Sequence, residues 1–252
     1  MLCAIVLTEL FPGKYGKDLR ILLKDYTAEN ATQLGYNRAR EYMYGYIYND
    51  PDLNALTCIY TGTQMSCPYN SNSVNCDKED NLNCEHTVPQ SFFGKNEPMR
   101  SDLHHLRPTG ADVNAARSNF PFNQLEDKYI DEYYGINYQV QQTKPSDVQN
   151  WSKLDEEHAF EPRDAQKGDT ARAVSYFYVR YPNKGGNVNR VFQNVDYMIE
   201  WDEQFPPTEL QQQQYNRAVE IQGNKNPFQE ERGLVARAYC DFSKKYPCSR
   251  YQ

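Results

Sequence analysis

The chain has 252 residues, with 27 Lys and Arg against 34 Asp and Glu, which gives a formal net charge of −7 at pH 7. Aromatic residues make up 13% of the sequence, which is enough to form a hydrophobic core and excludes an intrinsically disordered chain. No apolar stretch approaches the ~20 residues of a membrane span, and the acidic total argues against a nonspecific polyanion binder held by bulk charge. Any nucleic-acid function must therefore depend on a local site.

The N-terminal residues and the cysteines are compatible with an exported protein. Residues 1–7 look like the end of a hydrophobic export segment that lacks a basic region, so we assign residues 1–14 to a remnant of such a segment or to a disordered N-terminus. Apart from Cys3, six cysteines remain, and an even number is typical of a disulfide framework. A local bridge between Cys240 and Cys248 is predicted, while the other pairings stay open. The alternative is six buried free thiols in a cytosolic protein.

Helical periodicity covers residues 15–50 in two helices, and Asn49-Asp50-Pro51 is expected to end the second. Residues 58–80 are rich in turn-forming residues. The next block, residues 84–122, contains three of the four histidines.

Within that block, residues 101–107 predict a short strand that Pro108 ends. Thr109 is then expected to cap a helix from Gly110 to about Arg117. With a strand ending at Glu85 and His86 in front, the predicted order is strand, loop, strand, helix.

Two further helices are predicted, at about 169–181 and 208–222. The second opens with Thr208-Glu-Leu-Gln211, a capping-box pattern. The stretch 163–190 has six bases against two acids. We expect it either to contact backbone phosphates as a second wall of a site or to form a solvated helix face paired with the acidic segment before it. Because no long linker separates these elements, a single α+β domain is the simplest prediction.

Glu85, His86 and Asn114 form a pattern suited to metal-assisted phosphodiester hydrolysis. That reaction needs a base to deprotonate water and a cation to stabilise charge on the phosphate. Histidine is the side chain whose ordinary pKa suits a base at neutral pH, and Glu85 and Asn114 offer oxygen ligands of the type that Mg²⁺ prefers. Adjacent strand residues point to opposite faces, so Glu85 and His86 can share one site only at a strand end or bulge.

The longer pattern resembles the endonuclease I family, secreted or periplasmic nonspecific nucleases of the ββα-metal (His-Me finger) superfamily. The strongest matches are residues 83–90 and 100–122. Weaker similarities lie at residues 15–23, 36–39, 160–162, 168–173, 176–178, 201–202 and 222–228. The resemblance implies a ββα-metal core surrounded by helices within residues 15–228, and it leaves residues 229–252 as a cysteine-containing tail of unknown role.

Residue by residue, the resemblance implies that His86 is the general base and that Glu85 and Asn114 bind one divalent cation. Mg²⁺ is the first expectation, with Ca²⁺ and Mn²⁺ as alternatives. His104 is implied as a structural histidine of the site. Members of the family commonly place an arginine against the scissile phosphate, and Arg100 is the first candidate here. Arg107 and Arg117 stand behind it as substrate-binding candidates.

These residues together predict a secreted or periplasmic, metal-dependent endonuclease. We expect a monomer that binds DNA, and RNA as well, through phosphate contacts without sequence preference, and that binds no membrane. One alternative keeps the fold without the reaction, as a silent nucleic-acid- or metal-binding protein. A second alternative is a structural zinc protein that uses Cys84, His86, His104 and nearby cysteines.

Overall fold

In the part of the chain that the structure describes, helices combine with three small antiparallel sheets. The computed structural model describes residues 9–71, 76 and 81–252. The strands of this part of the chain occupy its middle, and most helices lie towards its two ends, so the predicted α+β class is confirmed. None of the helices seen here combines the length and apolar composition that crossing a bilayer demands.

The bounds of the elements define the labels used below. The helices are α1 (Gly16–Ala28), α2 (Tyr36–Tyr42), α3 (Ala111–Arg117), α4 (Asp164–Arg180), α5 (Val195–Gln204), α6 (Glu209–Gln222), α7 (Pro227–Glu230) and α8 (Leu234–Tyr239). The strands are β1 (Asn49–Asp50), β2 (Ala55–Thr57), β3 (Gln64–Ser66), β4 (Leu82–His86), β5 (Leu106–Gly110), β6 (Glu132–Gly135), β7 (Gln139–Gln141), β8 (Ser152–Asp155) and β9 (Ala159–Glu161).

Two helices precede the sheets, as predicted. Leu19 and Leu23 lie one turn apart on α1 and are fully buried, which directs this face onto the core. Helix α2 continues as a π-helical turn, residues 43–47. The helical stretch therefore ends before Asn49 and Asp50, which form the first strand of the sheet β1-β2-β3.

Strands β4 and β5 form an antiparallel pair, and α3 follows directly. The predicted order of strand, loop, strand and helix is present, but the predicted bounds of the second strand are wrong. That strand begins at Leu106 and contains Pro108, which was expected to end it. The carbonyl of Pro108 accepts a hydrogen bond from the Ile59 N–H, at 3.1 Å. In an antiparallel strand the backbone N and C=O of one residue point to the same side. The nitrogen of Pro108 therefore points towards Ile59, as its carbonyl does, and away from β4. Because proline has no N–H, its place in the strand costs no hydrogen bond between β4 and β5.

The predicted cap of α3 is also wrong. Thr109 belongs to β5 and pairs with Asn83, while Gly110 is the N-cap and makes no side-chain capping bond. The helix therefore starts at Ala111, one residue later than expected.

Helix α4 passes through the centre of the fold. Of its 17 residues, 14 are buried. It starts at Asp164, five residues earlier than predicted. Gly168 lies so close to the backbone of Phe205 that a Cβ at this position would collide with the Phe205 carbonyl oxygen, so the approach of α4 to the end of α5 requires glycine.

The basic stretch 163–190 contains this buried helix, so the expectation of a solvated helix face is wrong for α4, although one of its cations does pair with the acidic segment before it. Lys167 is paired with Glu161 and Asp164 at 2.7 Å. Arg172 is paired with Asp202 at 3.1 Å and is completely buried. These two cations satisfy internal carboxylates, so they are unavailable as a phosphate-binding wall.

Helix α6 begins with the predicted capping box. The Thr208 hydroxyl accepts a hydrogen bond from the Gln211 N–H, and the Gln211 side chain accepts one from the Thr208 N–H, both at 3.2 Å. Both backbone donors at the helix start are thereby satisfied.

The cysteine framework is smaller than an all-disulfide arrangement of six. Cys240 and Cys248 form the predicted local bridge, and Cys67 pairs with Cys76. Cys58 and Cys84 are buried free thiols. Cys3 lies outside the described residues.

Both ends of the described chain contact the core. Arg237 of α8 is bound to Glu9, to the Leu10 carbonyl and to Glu231, at 3.3 Å for the last. The five apolar or aromatic side chains of α8 are buried, namely Leu234, Val235, Ala236, Ala238 and Tyr239. Much of the segment assigned to a tail, residues 229–252, thus packs as part of the domain.

A buried carboxylate holds the loop between β4 and β5. Asp102 accepts hydrogen bonds from the Tyr176 hydroxyl at 2.8 Å, the Tyr181 hydroxyl at 2.7 Å and the Gln222 amide at 2.8 Å. The backbone N–H of His104 donates a fourth, at 3.0 Å. The loop is thereby joined to α4 and α6. Burial raises the pKa of Asp102, but His104, His105 and these hydrogen bonds lower it by more, so the group stays ionised.

Two buried histidines follow Asp102. The Nε2 atom of His104 lies 3.0 Å from the Asn224 carbonyl, and that of His105 lies 2.6 Å from the Met99 carbonyl. Burial lowers the pKa of both rings, that of His105 from 6.5 to about 4, so both are neutral at pH 7.

We expect Asp102→Asn to destabilise the protein by about 2–4 kcal/mol. The amide has one acceptor oxygen where the carboxylate has two, and its NH₂ group would face the donor groups that now bind the second oxygen. Urea unfolding at pH 7 measures the change. The exposed Asp18→Asn on α1 is the matched control and should shift the free energy of unfolding by less than about 0.5 kcal/mol. Equal effects of the two substitutions would contradict this role of Asp102.

The neutral state of His105 predicts acid destabilisation. In the unfolded chain its pKa returns to about 6.5, so the unfolded state binds a proton that the folded state refuses until about pH 4. The neutral His105 ring contributes about 3 kcal/mol to the free energy of unfolding above pH 6.5, and this stabilisation is lost as the pH falls from 6.5 to 4. Urea unfolding across this range should show a smaller pH slope for His105→Gln than for the wild type. An unchanged slope would rule this out.

Candidate active site

The candidate site lies where the end of β4 meets α3. Two side-chain contacts join the strand to the helix. The Asn114 amide nitrogen lies 3.3 Å from Asn83 Oδ1, and a guanidinium nitrogen of Arg117 lies 3.3 Å from Glu85 Oε1. Residues two apart on a strand share a face, and residues three apart on a helix lie one turn apart. Glu85 and Asn114 are therefore brought to the same strand–helix junction.

The Glu85 carboxylate is buried and tightly held. Its Oε1 atom accepts a 2.6 Å hydrogen bond from the Tyr60 hydroxyl, in addition to the Arg117 contact. Burial raises the pKa of Glu85, while the charge of Arg117 and the hydrogen bond from Tyr60 act against that rise. The two partners thus fix the orientation of the carboxylate and offset part of the effect of burial, while the pKa of Glu85 stays raised overall.

Asn114 is half-buried on the outer part of the junction. Because its amide nitrogen donates to Asn83, its carbonyl oxygen is the end left to accept a contact from outside. The amide oxygen of Asn114 and the carboxylate of Glu85 are oxygen donors of the kind that suits a hard divalent cation.

His86 is the last residue of β4, and its ring is fixed. The Nε2 atom lies 3.0 Å from the carbonyl oxygen of Arg100. A carbonyl can only accept, so Nε2 carries the proton and Nδ1 carries the lone pair of the neutral ring. Burial lowers the pKa of His86 to about 3, with His105 adding to the effect, so the neutral form is the one present at pH 7.

Glu85 and His86 have separate surroundings, as their adjacent positions on a strand require. Glu85 contacts Tyr60 and Arg117, whereas the His86 ring packs beside Tyr36 at 5.6 Å between centroids, and beside Phe93 at 6.2 Å. His86 is the last residue of β4, and the two side chains lie on opposite sides of this strand end.

The three candidate arginines differ in what already binds them. Arg107 is buried and forms a two-bond ion pair with Asp169, at 2.6 and 2.9 Å. Arg117 is 1% exposed and is bound to Glu85. Arg100 is half-buried, its guanidinium lies over an aromatic ring, and it pairs with no carboxylate among the described residues. Of the three, Arg100 is the one whose charge no carboxylate of the described residues compensates.

The structural zinc alternative required Cys84, His86 and His104 to converge. His86 instead binds the Arg100 carbonyl and His104 binds the Asn224 carbonyl. Across residues 9–71, 76 and 81–252, no group of three or more His, Cys, Asp or Glu side chains lies close enough to hold a metal ion. The structure of these residues gives the zinc alternative no support.

Sequence analysis missed Tyr60 and Tyr36, which contact Glu85 and His86. Both lie far from the histidine block in sequence, and tyrosine is the most frequent aromatic residue of this chain, with 21 copies. Tyr36 lies in the segment 36–39 that resembles the family, but no pattern gives either tyrosine its contact with the site, so only the folded arrangement identifies that role.

Several known proteins are similar to this chain. An extracellular ribonuclease of Bacillus subtilis is 28% identical over 193 residues, which cover 69% of this chain and 58% of the relative. An extracellular deoxyribonuclease of Aeromonas hydrophila is 26% identical over 170 residues, 68% of this chain and 60% of the relative. Endonuclease-1 of Buchnera aphidicola subsp. Baizongia pistaciae is 26% identical over 181 residues, 65% of this chain and 66% of the relative. The matches thus span about three fifths to two thirds of these relatives.

The family model described as Endonuclease I matches residues 20–232. This range includes β4, β5 and α3 with the whole candidate site, together with α4 to α7. The chain belongs to the endonuclease I family.

Proposed function

We propose that this protein is a divalent-metal-dependent endonuclease that hydrolyses the phosphodiester bonds of DNA, and of RNA as well, with His86 as the general base. The family and the names of the relatives, which include ribonucleases and deoxyribonucleases, support nuclease activity. The catalytic core proposed is the ββα-metal (His-Me finger) unit formed by β4, β5 and α3.

The observation that carries this proposal is the contact between His86 Nε2 and the Arg100 carbonyl, at 3.0 Å. It fixes the tautomer, so that the nitrogen opposite the carbonyl is the one able to take a proton from water. It also ties the base to the backbone of the residue proposed to bind the phosphate. General-base catalysis of this kind contributes about 10²–10⁴ in rate.

The donor set fits a hard divalent cation. Glu85 supplies a carboxylate and Asn114 an amide oxygen, and both lie at the β4–α3 junction. Two protein oxygens leave the remaining positions of an octahedral shell to water and to the substrate phosphate, as is usual for Mg²⁺. When bound, such an ion would stabilise negative charge on the phosphate and on the leaving oxygen.

The side chains of this chain perform the other tasks. His86 accepts the proton of the attacking water as the water oxygen bonds to phosphorus. The bond from phosphorus to the leaving sugar oxygen breaks, that oxygen takes a proton from solvent, and no covalent enzyme intermediate forms. Arg100 contacts the phosphate, because its guanidinium has no carboxylate partner among the described residues. Arg107 and Arg117 act through Asp169 and Glu85, by positioning them.

Contacts to phosphates alone predict little sequence preference and a strong dependence on salt. With a net charge of −7, the chain offers no general attraction for a polyanion. The local cation and Arg100 must therefore supply most of the affinity.

We also propose that the protein acts outside the cytoplasm, as a monomer. Relatives from Bacillus subtilis and Aeromonas hydrophila are named as extracellular, and another from Aeromonas hydrophila as periplasmic. Two disulfides are consistent with an oxidising compartment.

His86→Ala should lower the rate of plasmid nicking in Mg²⁺ by about 10²–10⁴, because the water loses its proton acceptor. His158→Ala is the matched control: this histidine is 61% exposed, pairs with Asp155 and lies outside the site, so nicking should be unchanged. Full activity of purified His86→Ala would show that the base is wrongly assigned.

Chelation by EDTA should abolish nicking and leave the melting temperature almost unchanged, because the fold is held by its core and two disulfides. Unfolding on chelation would instead indicate a structural metal. Binding of DNA without cleavage in any divalent ion, by folded protein, would favour the silent binding protein.

Arg100→Met should lower kcat by about 10²–10³ with a normal melting temperature, because a donor to the charged transition state is lost. Arg107→Met should instead lower the free energy of unfolding, by about 3–5 kcal/mol, because it leaves the buried Asp169 carboxylate without its arginine. Kinetics and urea unfolding of both variants test this division. It fails if Arg100→Met retains wild-type kcat.

A further inference from the structure

Arg100 is held by an aromatic ring instead of an acid. Its guanidinium carbon lies 4.1 Å from the centroid of the Tyr36 ring. Its Nε–H is buried and has no hydrogen-bond partner within the described part of the chain. The ring contact therefore holds a guanidinium whose Nε–H is not engaged by any acceptor among the described residues.

The same ring contacts the proposed base. The centroids of Tyr36 and His86 are 5.6 Å apart, with an angle of 33° between the rings. His86 is in turn hydrogen-bonded to the carbonyl of Arg100. Tyr36, His86 and Arg100 therefore form a closed set of three contacts, two through the tyrosine ring and one through the backbone.

The position of Tyr36 is itself well defined. It is the first residue of α2 and is half-buried. The guanidinium carbon of Arg40, one turn later, lies 5.5 Å from the centroid of Tyr36 and 5.5 Å from that of Tyr44. A ring held between neighbours in this way is a fixed surface for Arg100.

We propose that Tyr36 is a positioning residue of the active site, whose ring holds the Arg100 guanidinium beside His86 in the orientation that receives the scissile phosphate. This inference rests on the nuclease function proposed above.

An aromatic surface suits this task better than a carboxylate. A carboxylate would occupy the N–H donors of the guanidinium, as Asp169 does with Arg107, and would repel a phosphate. A ring attracts the cation through its face and leaves the N–H groups at the edge of the guanidinium available. The site thus gains a fixed cation whose hydrogen bonds are kept for the substrate.

The test compares Tyr36→Phe and Tyr36→Leu in the full-length oxidised protein with Mg²⁺. Phenylalanine keeps the ring face, so kcat should stay within about twofold of the wild type. Leucine removes it, and kcat should fall by about 3- to 30-fold with a smaller change in KM. Tyr42→Leu is the matched control: this ring lies 4.5 Å from Arg38 on the same helix, away from His86, and its loss should leave kcat unchanged.

A double-mutant cycle with Arg100→Met separates positioning from a general structural effect. If Tyr36 acts through Arg100, Tyr36→Leu should cause no further loss of kcat in the Arg100→Met background. A readout independent of activity is the NMR signal of the Arg100 Nε–H, which should lose its ring-current shift in Tyr36→Leu and keep it in Tyr36→Phe.

Wild-type kcat in Tyr36→Leu would overturn the inference, and so would equal losses in the two backgrounds or an Arg100 signal that does not move. These outcomes differ from failure of the proposed function itself, in which the wild type would not cleave DNA in any divalent ion.

Discussion

The candidate site depends on one buried carboxylate that is not part of it. Asp102 accepts four hydrogen bonds and joins the β4–β5 loop to α4 and α6. Arg100 lies two residues before it, and the carbonyl of Arg100 fixes the ring of His86. A loop that moved freely would leave the base without a defined tautomer or direction, so the Asp102 network is a precondition for the chemistry proposed here.

The arginines of this chain divide between holding the fold and serving the site. Arg107 and Arg172 are buried against Asp169 and Asp202, where removal of either partner would leave an uncompensated charge. Arg117 shares its charge with Glu85. Arg100 is held over Tyr36 with no carboxylate partner among the described residues, and it is therefore the candidate whose hydrogen bonds remain for a phosphate.

Burial sets the protonation states around the site. It keeps His86, His104 and His105 neutral, whereas hydrogen bonds keep Asp102 charged in the same region. The neutral His86 ring keeps a lone pair on Nδ1, because Nε2 faces the Arg100 carbonyl. The neutral histidines make the protein less stable in acid, because the unfolded chain binds protons that the folded chain does not bind.

Several features follow from local sequence. They are the strand–loop–strand–helix order, the capping box at Thr208 and the adjacency of Glu85 and His86. Each depends on residues within a few positions of one another. The error at Pro108 arose because local rules do not state which side of a strand its neighbours occupy. Tertiary structure alone decided the burial of α4, the division among the arginines and the contacts of Tyr36 and Tyr60. These depend on segments that are distant in sequence, and no local pattern records which of many similar side chains will meet.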